Sequence, residues 1–421
     1  MNKKTGLGIL FFFLLSIFST GCDTIQKKDT SPAGDFKRGP SGLIMEFVRN
    51  YPGDSYIVNE GTNENILIMI DLKNKGTYPG GDYFEKGNVY ISGFDDEIID
   101  MTGLTAAQMG SDLLPKIKAL ITDQSLANTK AMLAVLKLED KMDTDEIPEV
   151  YLKISNLVTS MNGLGLSQTE KEDKLMGVAK GIKYAWEKSK KLKDPDMFLP
   201  AASPINPLGG FATVEFEGKI IADKITVDEY NPTIMATACY PYGTKASPTV
   251  CVDPQPFDDR QEKVCHIGSQ TLGTQGAPVA VTEITQEAAT DKIQFKITIK
   301  NVGDGDVINS SLGSLSKCSP LGGGKLDRKE FDRVQVTNIK IGSVDLWSDD
   351  KDLNKCSPFA DGTQNIIRLF NGEGFVICTL TVSELGDVQS AYTTPLNIEL
   401  EYNYRSTISK PIKISKLTTV G

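Results

Sequence analysis

The stretch that decides the fold is ILIMIDLKNKG, residues 66–76, because the chain repeats it in outline as IQFKITIKNVG at residues 293–303. In the second copy apolar and polar residues alternate, and this period of two predicts a strand with one buried and one solvated face. Both copies end in Asn, one further residue and Gly, which is typical of a turn that needs a positive φ. The repetition predicts that one β unit occurs twice.

Two more landmarks follow each copy in the same order. Glycine-rich turns precede strands that begin at Phe211 and Phe375, and a pair of tyrosines spaced by one residue comes later. The tyrosine pairs are Tyr240 with Tyr242 and Tyr402 with Tyr404. Three landmarks in one order favour duplication of a β domain over chance.

The first copy is longer than the second. From Asn74 to Phe211 is 137 residues, against 74 residues from Asn301 to Phe375. The surplus of 63 residues predicts an insertion, and between its ends the apolar residues recur at helical spacing. Ser167 with Glu170 predicts a capping box at the start of the last helix. Lysines crowd the end of that helix, where they are expected to complement the helix dipole rather than to bind a ligand.

The predicted fold class is mainly β with an α insertion, built as two immunoglobulin-like β-sandwich domains. Residues 42–102 and 205–255 form the discontinuous first sandwich, with a helical subdomain inserted at 103–204. Residues 256–276 are a linker, and residues 277–421 form the second sandwich. The strand, the Asn-x-Gly turn and the paired terminal hairpin resemble the immunoglobulin-like cell-surface modules called CARDB or APHP domains. More loosely, they resemble uncharacterised multi-domain archaeal surface proteins. The resemblance implies binding, adhesion or a spacer role, and brings no catalytic residues.

The first residues resemble a secretory signal peptide that ends at a lipoprotein-like site. Lys3 and Lys4 precede an apolar stretch too short to cross a bilayer, and small residues lead to Cys22, the predicted lipidation site. Ser19 departs from the usual aliphatic residue, so cleavage without lipidation stays open. Residues 23–41 are polar with Pro and Gly and are expected to form a tether. The chain is therefore predicted to be extracytoplasmic and anchored to the outer face of the cell membrane.

Charge and composition exclude several classes of function. The net charge of −10 and a pI near 4.9 argue against nucleic acid as a partner, because proteins that bind it present a basic surface. His266 is the only histidine and no CxxC occurs, so neither a metal site nor a histidine-dependent nucleophile is predicted. No nucleotide-binding motif is present, and no cofactor is expected.

Six cysteines remain after Cys22, an even number that suggests disulfides in a secreted chain. The candidates are Cys239, Cys251, Cys265, Cys318, Cys356 and Cys378. Alternation places Cys239 and Cys251 on the outer face of one predicted hairpin, so we expect these two to be bridged. Full pairing would then require a bridge from Cys265 into the second domain.

The preferred function is a non-enzymatic, membrane-anchored surface protein whose sandwiches form a stalk and whose helical insertion or loops contact a protein or glycan. The alternative is an envelope hydrolase that uses a carboxylate pair in the insertion or at the domain junction. A solute-binding lipoprotein is disfavoured because alternating βα units are absent. Asn309 begins an Asn-Ser-Ser sequon and is a candidate glycosylation site.

Overall fold

The computed structural model describes residues 39–78, 86–105, 107–192, 199–258, 262–321, 324–385, 388 and 390–417. The predicted signal peptide 1–22, its Cys22 and the tether as far as residue 38 lie outside the described residues. Strands make up 40% of the structure and helices 21%, with a helical stretch at 108–187. The prediction of a mainly β chain with an early helical insertion is confirmed. Among the described helices none is long and apolar enough to span a membrane.

The strands before the second repeat are β1 Leu43–Phe47, β2 Ser55–Asn59, β3 Asn63–Asn74, β4 Asn88–Ser92, β5 Ile99–Asp100, β6 Ser189–Lys191, β7 Gly210–Ile221, β8 Glu229–Tyr230, β9 Thr233–Ala246, β10 Thr249–Val252 and β11 Ser269–Thr271. The later strands are β12 Val279–Ala288, β13 Lys292–Asn301, β14 Asp306–Ile308, β15 Arg333–Ile341, β16 Val344–Asp345, β17 Cys356–Ser357, β18 Ile366–Arg368, β19 Glu373–Thr381, β20 Tyr392–Pro411 and β21 Lys413–Leu417. The α-helices are α1 Leu114–Thr122, preceded by a π-helical turn at Gln108–Leu113, α2 Leu126–Val135, α3 Glu146–Gly163, α4 Gln168–Glu187 and α5 Leu312–Ser316. Short 3-10 turns occupy Ala222–Lys224 and Val382–Leu385.

Four sheets organise these strands. The first sheet has the order β1-β3-β7-β5, and the second sheet has the order β11-β12-β13-β19-β17. Between the repeats runs a nine-stranded central sheet with the path β16-β15-β20-β9-β4-β6. A small sheet joins β2, β21 and β8, and its β2–β21 pair is parallel. The two repeats therefore share the central sheet, a connection that the sequence pattern did not indicate.

The repeats are related by an approximate two-fold axis through the central sheet. Strands β9 and β20 pair antiparallel, with Tyr240 opposite Tyr404 and Tyr242 opposite Tyr402. Since Tyr240 corresponds to Tyr402 in the repeat, each pair is the image of the other. The flanking strands agree, because Leu43 lies opposite Asn74 in the first copy and Val279 lies opposite Asn301 in the second.

The Asn-x-Gly turns differ from the expectation in one respect. The amide of Gly76 donates to the Asn74 side chain, and that of Gly303 donates to the Asn301 side chain. Neither glycine is among the residues with positive φ. Glycine is needed there because a Cβ at position 76 would lie 1.5 Å from the Tyr242 hydroxyl oxygen, and one at 303 would lie 2.4 Å from that of Tyr404.

The two phenylalanines that mark the repeat in the sequence, Phe211 and Phe375, do not occupy equivalent positions in the two sheets. Phe211 lies opposite Lys73 in the first sheet, whereas the residue opposite the corresponding Lys300 is Glu373. Phe375 lies two residues further along its strand. The equivalence of the two strands holds, but the sequence match between the two phenylalanines is offset by two positions, which keeps both on the outer face.

Two main hydrophobic cores support the body and the insertion separately. The core of the β body draws on both repeats and includes the four tyrosines, whose neighbouring ring centroids lie 5.9–6.4 Å apart. The helical insertion has its own core, formed by residues such as Leu120, Leu133, Ile154, Val158 and Leu175. The predicted capping box of Ser167 and Glu170 at the start of α4 is confirmed. The helices thus pack on one another and not into the β core.

The insertion is shorter than the predicted span of 103–204. Residues Ser189–Lys191 form β6 and pair with β4, so the chain rejoins the central sheet immediately after α4. Leu199 also belongs to the β body, where its carbonyl accepts a hydrogen bond from the buried Asn74 side chain. The helical spacing of apolar residues does not indicate where the chain rejoins the β body after the last helix.

Candidate functional site

All six candidate cysteines are bridged, but the predicted Cys239–Cys251 pair is wrong. The bridges are Cys239–Cys318, Cys251–Cys265 and Cys356–Cys378. The expected hairpin does not form, because β10 pairs with Tyr392–Pro395 of β20 instead of folding back on β9. This pairing places Cys251 away from Cys239, and Cys239 is instead bridged to Cys318 of the second repeat.

The Cys239–Cys318 bridge joins the two repeats covalently. Cys239 is only 1% exposed on β9, and it packs with Tyr90, Ile308 and Leu315. Its partner follows the short helix α5 of the second repeat. The predicted crossing between repeats is therefore made by Cys239, not by Cys265. Three disulfides indicate an oxidising, extracytoplasmic location.

Asn309 lies directly after β14 in an ordered turn. Its side-chain oxygen accepts a hydrogen bond from the amide of Ser311 at 2.9 Å, and Ser311 caps α5 through the amide of Ser314. The buried Asn403 side chain donates to the carbonyls of Asn309 and Ser311 at 2.5 and 2.9 Å. The sequon is thus held by the central strand β20, and glycosylation of Asn309 stays a prediction.

A cavity lies at the base of the helical insertion, and we call it the basal cleft. It has a volume of about 540 Å³, within the range of small-ligand pockets. Strands β3 and β7, the segment that leaves β5 and the end of α4 form its walls. Its polar lining residues are Asn65, Asp100, Thr102, Glu187, Glu217 and Lys219.

A glycine brings one wall of the basal cleft close to the sheet. Gly218 interrupts the side-chain alternation of β7, and a Cβ there would lie 2.3 Å from the Met101 sulfur. Met101, only 3% exposed, can therefore cover the strand where the chain turns from β5 toward the helices. The turn continues through Asp100, whose carboxylate accepts from the amide and hydroxyl of Thr102 at 2.8 and 2.7 Å.

Carboxylates from three elements reach this cleft. Glu187, the last residue of α4, accepts a hydrogen bond from the nearly buried Lys183 ammonium at 2.6 Å. The Asp100 carboxylate accepts a hydrogen bond within the turn that follows it, and Glu217 projects from the exposed face of β7. With Asn65 and Lys219 these groups form a lining of hydrogen-bond donors and acceptors suited to a polar, hydroxyl-rich ligand.

Next to the cleft, lysines attach the insertion to the β body. The Lys188 ammonium lies 2.5 Å from an Asp96 carboxylate oxygen and 4.6 Å from the centre of the Phe94 ring. The Tyr184 hydroxyl donates to the Asp96 carbonyl. Burial, and then the nearby carboxylates of Asp100 and Asp96, raise the pKa of Tyr184, which keeps this phenol protonated.

Lys191 completes the attachment from β6. Its ammonium lies 2.8 Å from both the Asp143 and the Glu146 carboxylates, and it lies over the Trp186 ring. Burial acts to lower the pKa of Lys191, but the hydrogen bonds and the negative charges of these two carboxylates together outweigh it and hold the pKa above its ordinary value. The sequence predicted that these lysines complement the helix dipole, and their contacts between the insertion and the β body were not predicted. The sequence signal for those contacts was the presence of Tyr184 and Trp186 among the lysines.

No family model and no curated protein matches the chain. The site must therefore be understood from its own geometry. In the part of the chain that the structure describes, no group of three or more His, Cys, Asp or Glu side chains is placed to hold a metal ion.

Proposed function

We propose that this chain is a non-enzymatic, membrane-anchored surface protein of the cell exterior. In this proposal the β body, built from immunoglobulin-like units similar to CARDB modules, acts as a stalk or spacer. The helical insertion and the basal cleft contact a surface protein or glycan. The extracytoplasmic location that the disulfides indicate supports this role, and lipidation of Cys22 would supply the anchor.

One observation carries the proposal: the helical insertion packs around its own core, apart from the core of the β body. A unit that the β body does not need for its own packing is available for contact with a partner. It also presents large apolar side chains to water, with Leu152 56% exposed and Leu164 72% exposed. In this proposal these two side chains form part of the contact surface.

The binding test is capture of partners from intact cell surfaces by the full chain. Leu152→Ser and Leu164→Ser, introduced singly, probe the helices, and Glu217→Gln probes the basal cleft. Val227→Ser, at a 54% exposed position of the β body, is the matched control. We expect capture to fall in at least one of the first three variants and to stay unchanged in the control. Unchanged capture by all three would contradict the proposal.

The anchoring part of the proposal has its own test. Replacing Cys22→Ser should move the protein from the membrane fraction to the medium, or leave the precursor unprocessed. A variant that stays membrane-bound at the normal mature size would rule out lipid anchoring through Cys22. Ser19→Leu restores the usual aliphatic residue and should leave anchoring intact or improve it.

The hydrolase hypothesis has one observation in its favour, namely that Asp100, Glu187 and Glu217 line the same cleft. Two of these carboxylates are engaged in local hydrogen bonds, to Thr102 and Lys183. The proposal of a binding protein predicts glycan or peptide capture without turnover. Hydrolysis by the unaltered chain that Glu217→Gln abolishes would replace the binding proposal with the enzymatic one.

A further inference from the structure

Two equivalent slots lie beside the central sheet, one in each repeat. In the first repeat β1 lies beside β20, and the Leu43 amide donates to the Tyr240 hydroxyl at 3.4 Å. In the second repeat β12 lies beside β9, and the Val279 amide donates to the Tyr402 hydroxyl at 3.3 Å. Because these contacts match, the contents of the two slots can be compared position by position.

The slot of the second repeat is filled by the chain that precedes β12. Strand β11 pairs antiparallel with β12, and after β11 the Leu272 amide donates to the Thr282 carbonyl at 2.8 Å. The Gln275 side chain then bonds both the amide and the carbonyl of Val281, at 2.9 and 3.0 Å. The outer edge of β12 is thus covered by an extended segment, whose Leu272 side chain packs on the β core.

The corresponding edge of β1 in the first repeat is open. The Val48 amide donates to the Met69 carbonyl of β3, so the alternate residues Met45 and Phe47 direct their backbone groups away from β3. Within the part of the chain that the structure describes, no residue bonds to those groups. Phe47 is only half-buried, whereas its equivalent Ile284 is fully buried beneath the linker segment. This edge therefore offers both hydrogen bonds and apolar surface.

The slots also differ where the segment before each first strand meets a turn. In the second repeat the Gly276 carbonyl accepts from the Thr77 amide at 3.0 Å and from the Tyr242 hydroxyl at 3.2 Å. The three corresponding positions in the first slot are Pro40, Asp304 and Tyr404. The second slot thus shows what these positions bind when a slot is filled, namely a backbone carbonyl oxygen.

In the first slot these three residues line a cavity of about 190 Å³. Among residues that the structure describes, none donates to the Pro40 carbonyl. The Tyr404 ring is 3% exposed, and its hydroxyl lies 3.5 Å from the Asn301 side-chain oxygen, a long contact. By the match with the second slot, the Asp304 amide and the Tyr404 hydroxyl are the donors that a carbonyl oxygen in this cavity would meet.

We propose that the slot between β1 and β20 receives an extended segment of a partner protein, which pairs antiparallel with β1. One of its carbonyl oxygens enters the cavity beside Tyr404, and one aliphatic side chain takes the place that Leu272 has in the second slot. Addition of a strand to a sheet edge is a recurrent mode of peptide recognition. This contact is separate from the helical insertion and the basal cleft.

The path of the chain before β1 favours a partner as the source of this segment. The Gly39 amide donates to the Thr274 hydroxyl at 2.9 Å, so the first described residue is bonded to the second repeat and not to β1. The equivalent residue of the second repeat, Gln275, instead bonds the edge of its own strand at Val281.

Hydrogen exchange of the purified full chain tests whether the slot is open. Met45 and Val281 are equivalent, and only the Val281 amide is bonded. In the free chain the Met45 amide should exchange at least about tenfold faster than that of Val281. A synthetic peptide with the sequence of residues 267–277, IGSQTLGTQGA, should slow Met45 at least about tenfold and leave Val281 unchanged. Equal protection of both amides in the free chain would show that its own preceding residues fill the slot, and would overturn the proposal.

Binding of the same peptide, labelled and followed by fluorescence anisotropy, tests the cavity. Tyr404→Phe removes a hydroxyl donor and should weaken binding roughly fivefold, the effect of one hydrogen bond. Tyr242→Phe is the matched control in the filled slot and should leave binding unchanged. A peptide with Leu272→Asp should bind at least about tenfold more weakly. Absence of binding, equal weakening by both tyrosine changes, or equal binding of the two peptides would each overturn the proposal.

Discussion

At the residue scale, Gly76 shows that a neighbouring side chain can make glycine necessary at a given position. The Tyr242 ring is 2% exposed, and its hydroxyl donates to the Gly276 carbonyl. A methyl group at position 76 would lie 1.5 Å from that hydroxyl oxygen and 2.7 Å from the Gly276 carbonyl oxygen. The turn therefore depends on Tyr242 more than on backbone φ.

The change Gly76→Ala should consequently lower the free energy of unfolding by about 3 kcal/mol, because a buried ring must move to admit the methyl group. Gly177→Ala is the matched control, since no atom lies within 4 Å of its Cβ position in the middle of α4. That substitution should instead stabilise the helix by about 0.5–1 kcal/mol. Chemical denaturation of both variants measures the difference, and equal effects would refute the steric argument.

A second residue-scale prediction concerns the Arg333–Asp361 pair. The Arg333 guanidinium is 5% exposed and donates twice to Asp361, at 2.6 and 3.3 Å. This hydrogen bonding lowers the pKa of Asp361. Asp361→Asn should destabilise the fold by about 1.5–3 kcal/mol at neutral pH, because it leaves a buried cation without its carboxylate.

The pH dependence follows from the sign of that shift. A depressed carboxyl pKa stabilises the folded state above the unfolded value of about 3.9, and this stabilisation is lost as pH falls through the folded pKa. The difference between wild type and Asp361→Asn should therefore shrink below about pH 4. Asp345→Asn removes the exposed pair with Lys340 and should cost under about 1 kcal/mol. A constant difference across the acid range would contradict the ion-pair explanation.

At the element scale, the alternation in β9 was predictable while its pairing was not. The alternation that predicts an outer position for Cys239 implies a buried face for the alternate residues of that strand. These are Ile234, Ala236, Ala238, Tyr240 and Tyr242, and all are at most 2% exposed. Period two identifies a face within one strand, but Cys239 is also buried because the short helix α5 and its loop cover the other face of β9. A pairing strand that is distant in the sequence, as β20 is from β9, produces no pattern in the local sequence of its partner.

The disulfide pattern is the prediction at this scale. Non-reducing peptide mapping should find Cys251 joined to Cys265, Cys356 to Cys378 and Cys239 to Cys318. Replacing Cys239 and Cys318 together by Ala should cost about 2–5 kcal/mol, since that bridge spans 79 residues. The Cys251–Cys265 bridge spans 14 residues, so its removal is the control with the smaller entropic cost. A Cys239–Cys251 peptide would contradict the pairing of β10 with β20.

At the scale of the whole molecule, the helical insertion should be removable, provided the cut is made at the correct place. Residues 104–187 can be replaced by a six-residue Gly/Ser linker, because Gly103 and Glu187 line the same cleft. We expect the β body to unfold within a few degrees of wild type, since loop length changes stability by only roughly 0.6 kcal/mol per doubling. Calorimetry measures this.

The control for that trimming removes residues 104–192. It deletes β6 and with it the hydrogen bonds from Ile91 to the Lys188 carbonyl and from Leu192 to the Gly87 carbonyl. The longer deletion should be clearly less stable than the shorter one. Helical periodicity predicted the insertion itself, but its last strand was not visible because three residues are too few to show a period.

The two-fold relation between the repeats makes the contact between β9 and β20 symmetric. A strand that pairs antiparallel with its own image forms an isologous contact, in which each partner offers the same surface to the other. Within this one chain the arrangement is therefore that of a homodimer interface, with the helical insertion present in only one of the two units. A single repeat standing alone would expose β20 as an open edge, and a second copy of itself would be its natural complement.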